Sequence, residues 1–149
     1  MMTRTLIAIL IALTASAVGP PLHAQEEDET PPGLLMVVHP DVSVDAIEDE
    51  DLRRMYLGKM SRWKGGARVV PVMLKDGPNH ELFVEEVMAR TVSSFVNYWK
   101  QAVFTGRGIP PRSFETESEL VFYVSQTPGA VGYVGTDTPL PGVKVITID

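Results

Sequence analysis

The 149-residue chain contains no cysteine. That excludes disulfides, thiol nucleophiles and thiolate metal sites, and leaves any fold to be held by its core alone. Positive charge is also scarce: 13 Lys and Arg stand against 19 Asp and Glu, for a formal net charge of −6. An acidic chain is poorly suited to nucleic acid, so no nucleic-acid partner is expected. No apolar run reaches the roughly 20 residues that a spanning helix needs. Histidine is limited to His23, His39 and His80, none in a metal-ligand spacing such as HExxH, so no metal is expected. Ser43, Ser61, Ser93, Ser94, Ser113, Ser118 and Ser125 all lack the GxSxG context of a nucleophile elbow. Asp49, Glu50 and Asp51 suit a helix N-terminus better than an acid–base pair. With no nucleophile–base pair to propose, no enzymatic activity is expected, and no cofactor is implied.

What is present begins with an export signal. Arg4 is the only Lys, Arg, Asp or Glu before Glu26, and LIAILIALTASAV between them has the length of a secretory h-region. Gly19-Pro20-Pro21 breaks it, and Ala24 offers a small residue at a cleavage point. Residues 1–24 therefore read as a signal peptide, with a retained N-terminal anchor as the alternative. Residues 25–33, QEEDETPPG, are acidic, proline-rich and without apolar periodicity, the composition of a disordered linker. Residues 34–149 are the right length for one domain, and a periplasmic or otherwise exported location is expected for it.

Within that domain, LLMVVH (34–39) is a continuous apolar run like a strand buried on both faces. Asp49 is placed to cap a helix over about 50–57 that stops at Gly58. Residues 59–67 form a basic loop around Trp63, and 68–74 form a strand in which Pro71 implies an edge or a bulge. Asn79 is placed to cap a helix to about Met88. Residues 91–104 form the strongest helix, with Val92, Phe95, Val96, Trp99, Ala102 and Val103 on one stripe. Residues 105–114 read as a loop. Thr116-Glu117-Ser118-Glu119 has capping-box spacing and opens a helix carrying Leu120, Val121 and Val124. Residues 130–134 and 143–148 read as short strands. Strands alternating with helices predict a mainly parallel sheet covered on both faces, a three-layer α/β/α arrangement.

Two places could hold a small anion. The turn Lys75-Asp76-Gly77-Pro78-Asn79-His80 leads from a strand into a helix, where free amides attract negative charge and Lys75 and His80 add to it. Thr105-Gly106-Arg107-Gly108 lets the backbone approach a ligand, and Arg107 can grip a carboxylate or phosphate with two prongs. Each also has a plain structural alternative: an ordinary turn capped by Asn79, and a helix end at Gly106 with an exposed Arg107. Trp63 and Tyr98 are candidate contacts for a partner.

Several segments together resemble the phosphate ABC transporter substrate-binding proteins. These are Asp51 to Lys59 (DLRRMYLGK) with Trp63 after it, Tyr98-Trp99, Phe104 to Gly108 with Pro110-Pro111, and Val124 to Val134 (VSQTPGAVGYV). The resemblance implies a single lobe of a type II periplasmic-binding-protein-like fold over residues 34–149. In that family one loop reads arginine, any residue, aspartate, glycine, serine, glycine, threonine. Its counterpart here is Leu74 to His80, which keeps Asp76 and Gly77 only. Leu74 cannot pair with an oxyanion, and Pro78 has no N–H to donate. The expectation is an exported, non-enzymatic binding domain. Its ligand residues would be Lys75, Asp76, Gly77, Asn79, His80 and Arg107, taking a small anion weakly in place of tight phosphate capture. The alternative is an interaction or sensory module with an envelope or membrane protein partner that has lost phosphate binding.

Overall fold

A computed structural model describes residues 33–149; the expected signal peptide and residues 25–32 of the acidic linker lie outside the described residues. Six strands form one sheet: β1 (Leu34–Val38), β2 (Ala46–Ile47), β3 (Val70–Leu74), β4 (Arg112–Phe114), β5 (Ala130–Gly135) and β6 (Lys144–Ile148), in the order β2-β6-β1-β5-β3-β4. The pairings β3–β5, β3–β4 and β2–β6 are parallel. β1 runs antiparallel to both neighbours, with Val37 opposite Gly132 on β5 and Val145 on β6. The parallel expectation therefore holds on either side of β1, and β1 itself is reversed.

Four helices accompany the sheet: α1 (Asp49–Tyr56), α2 (Pro78–Leu82), α3 (Val92–Phe104) and α4 (Glu117–Gln126). A π-helical turn, Phe83–Val87, continues α2. Two adjacent residues of β5 show that the sheet is covered on both faces. A side chain added at Gly132 would meet Leu120 of α4. The ring of the next residue, Tyr133, stacks on Phe83 of the π-turn at 3.8 Å between centroids. Successive strand side chains point to opposite faces, so α4 covers one face and α2 with its π-turn covers the other. Tyr56 of α1 joins the second layer, edge-on to Phe83 at 4.7 Å.

Helix starts differ in detail from the expectations. α1 begins at Asp49 itself, after Glu48 and without a side-chain cap. Its acidic first turn (Asp49, Glu50, Asp51) answers the helix dipole instead. α2 begins at Pro78 after Gly77, so Asn79 lies inside the helix and its side chain is free for another contact. Thr91 and Thr116 do cap α3 and α4, accepting from the backbone N–H of Ser94 and Glu119. Only Phe95 and Trp99 of the α3 stripe are buried, while Val96 and Val103 remain exposed. Trp63 is a core residue: it is 4% exposed and its Nε1 donates to the Gly129 carbonyl at 2.9 Å.

Candidate functional site

The loop after β3 is fixed from below by buried hydrogen bonds. His80 is 5% exposed and faces the core. Its Nδ1 lies 2.6 Å from the Tyr133 hydroxyl, which also accepts from the Leu74 N–H at 3.0 Å. A hydroxyl has one proton to give. Having accepted from Leu74, Tyr133 can donate to Nδ1 of a neutral imidazole. Burial lowers the His80 pKa, and nearby Asp76 and Glu81 only partly oppose that, which favours the neutral ring. Burial in turn raises the Tyr133 pKa, keeping its proton in place for the bond. His80 thus serves to anchor the loop from inside.

Above this anchor the donors converge on one carboxylate. Glu117, the first residue of α4, is half-buried. Its Oε1 accepts from Asn79 Nδ2 at 2.5 Å and from the Gly135 N–H at 3.1 Å, and its Oε2 accepts from the Thr138 hydroxyl. Burial alone would raise the pKa of this group; the bonds from Thr138, Asn79 and Gly135 outweigh it and hold the carboxyl below its ordinary value. The α4 N-terminus adds a favourable dipole. Gly135 is required for the close approach, because a Cβ there would lie 2.7 Å from Asn79 Nδ2.

The remaining candidates fall outside this cluster of donors. Lys75 is exposed and paired with Glu115 at 3.1 Å, which together with Asp76 raises its pKa. Asp76 is exposed, and Gly77 takes a positive φ of 97°. Arg107 lines a groove that includes Val70 and Pro71 at the start of β3, whereas the loop follows Leu74 at its end. The two anion-binding candidates are therefore two regions. Glu117, Gly135 and Thr138 were missed by sequence reasoning. The capping-box spacing explains Glu117 as a helix-start residue and hides its role beside a loop 38 positions away.

No protein-family model matches the chain. Phosphate-binding protein PstS of Bacillus subtilis (strain 168) is 27% identical over 103 residues, which are 68% of this chain and 31% of that protein. Among solved structures, an ABC-type phosphate transport receptor from Vibrio cholerae superposes with a TM-score of 0.60 at 20% identity. A structure from Clostridium perfringens, described as a phosphate ABC transporter substrate-binding protein with bound phosphate, gives 0.63 at 20% identity. Each covers 78% of this chain. The chain has the fold of the phosphate-type substrate-binding proteins. It is a single-lobe form of that fold, spanning 46% and 45% of the two solved chains. In this phosphate-type lobe, the loop carrying Asp76 and Gly77 stands beside a carboxylate that the chain itself supplies.

Proposed function

We propose that this protein is an exported, non-enzymatic binding domain that takes a small oxyanion weakly at the Lys75–His80 loop, in competition with its own Glu117. The phosphate-type fold supports a substrate-binding role. The observation that carries the proposal is the set of three donors, Asn79 Nδ2, Gly135 N–H and Thr138 Oγ1, closed around the Glu117 carboxylate. Those donors suit a carboxylate or phosphate oxygen. A tethered group competes at an effective concentration of about millimolar or higher, so a free anion must displace it. Around the loop, Lys75 is outnumbered by Asp76, Glu115 and Glu117, which disfavours a multiply charged anion further. Export through the N-terminal signal brings the domain to solutes outside the cytoplasm.

Calorimetric titration of the purified protein with phosphate, sulfate and acetate tests this. The expected Kd for each is about 1 mM or weaker, corresponding to no more than about 4 kcal/mol of binding free energy. Micromolar phosphate binding would overturn the proposal and make this lobe a phosphate receptor in its own right.

A further inference from the structure

Eleven of the thirteen Lys and Arg fall in two stretches, residues 52–75 and 87–114, neither of which contains Asp or Glu. The fold brings these stretches together. The segment after α1, the start of β3, the end of α3 and the loop into β4 enclose a groove of about 1520 Å³. Lys59, Arg68, Lys100, Arg107 and Arg112 line it, all exposed, and no acidic residue does. Among the described residues none of the five takes part in an ion pair. Arg112 lies over the rings of Phe114 and Tyr123, at 5.3 and 5.1 Å, which leaves its charge uncancelled.

The same groove is apolar between its cations. Phe104 is 93% exposed and Ile109 is 88% exposed, and both line it. Met55, Val69 and Trp99 contribute buried apolar surface to its wall. Trp99 Nε1 is the one buried side-chain polar atom among the described residues without a hydrogen-bond partner. An exposed phenylalanine and isoleucine cost solubility unless something covers them.

The chemistry selects an occupant. The volume exceeds the about 300–1,000 Å³ of clefts that hold drug-sized molecules. A flat lipid surface can meet Phe104 and Ile109 but not the wall formed by Met55, Val69 and Trp99. A nucleic acid is charged at every unit and has no aliphatic side chains to cover Phe104 and Ile109. An extended peptide needs only a few carboxylates to match the cations, and its apolar side chains can cover Phe104 and Ile109. We infer that this groove docks an acidic segment of a partner protein, one in which carboxylates alternate with bulky apolar side chains. This does not rest on the anion site, which lies at the other end of β3.

The test uses the purified full chain and a fluorescent synthetic peptide alternating glutamate and leucine, followed by anisotropy and by tryptophan emission. Saturable binding that weakens with added salt is expected. Lys100→Glu with Arg107→Glu weakens it about tenfold or more, and Phe104→Ser with Ile109→Ser weakens it about threefold or more. Both pairs are exposed, and unchanged thermal unfolding verifies that the fold survives. A matching peptide of lysine and leucine does not bind. No binding of the acidic peptide overturns the inference, as does binding that both variant pairs leave unchanged. Binding to phosphatidylglycerol vesicles without peptide binding, lost in the charge variant, assigns the groove to a membrane surface and also overturns it. So does self-association of the protein lost in that variant, which assigns the groove to a second copy.

Discussion

At the C-terminal end of β3, one exposed cation, Lys75, faces Asp76 and Glu115, and the nearby polar donors are closed around Glu117. At its N-terminal end, five exposed cations surround a groove that no acidic residue lines. The first region has the parts of an anion site and has satisfied them internally. The second has unsatisfied charge and exposed apolar surface. Internal satisfaction contributes to folding stability, because each donor there has lost water and gained an acceptor. Unpaired surface charge contributes little to stability and remains available for binding. The two ends of β3 thus differ in kind: donors closed on an internal carboxylate at one, unpaired cations beside exposed apolar side chains at the other.

Mutation can break this comparison at several strengths. The largest expected effect is at the anchor. Tyr133→Phe leaves the buried Leu74 N–H without an acceptor and His80 Nδ1 without a donor, and should lower unfolding free energy by about 2–3 kcal/mol in urea titration. Next comes Glu117→Ala, which removes one acceptor from three donors in a half-buried position. A loss of about 1–2 kcal/mol is expected, and added acetate should restore part of it by filling the vacated place. If Glu117→Ala proves neutral, the donors are not held by that carboxylate.

The pH dependence gives a third, smaller effect with a fixed sign. Burial depresses the His80 pKa below its ordinary 6.5. A base whose folded pKa is lowered contributes its full stability above pH 6.5 and loses it as pH falls through the folded value. Glu117 behaves likewise from its ordinary 4.5 downward, because hydrogen bonding depresses its folded pKa. Stability should therefore be flat above about pH 6.5 and fall in two stages toward acid. His80→Asn should remove the upper stage in urea titrations across about pH 2 to 8 and leave the lower one. The smallest effect belongs to the groove. Lys100→Ala with Arg107→Ala should change unfolding free energy by no more than about 0.5 kcal/mol; a loss larger than that would mean the groove cations are structural.

The sequence made the α/β character readable because long apolar-periodic segments were bounded by Gly and Pro. The four helices and the strands β1, β3, β5 and β6 lie where periodicity placed them, to within a few residues. β2 and β4, with two and three residues, are too short to carry a period. The direction of β1 was invisible for a different reason. A continuous run such as LLMVV reports burial on both faces and says nothing of orientation; its antiparallel neighbours are supplied by the end of the chain. The stripe on α3 is only partly buried because apolar spacing marks a face without saying that anything covers it, and Val103 stays 55% exposed. At the site, the turn from Lys75 to His80 was legible from its residue types. Its inward-facing histidine and its partner Glu117 depend on contacts 53 and 38 positions apart, which no local pattern encodes.

Glu117 occupies the donors beside the loop. The most direct measurement follows the Gly135 backbone amide and the Asn79 side-chain amide by nitrogen-15 NMR during acetate titration of the native protein and of Glu117→Ala. Both signals should shift saturably in Glu117→Ala and change little in the native protein. Equal shifts in the two proteins would contradict it, because the donors would then be free while Glu117 is present.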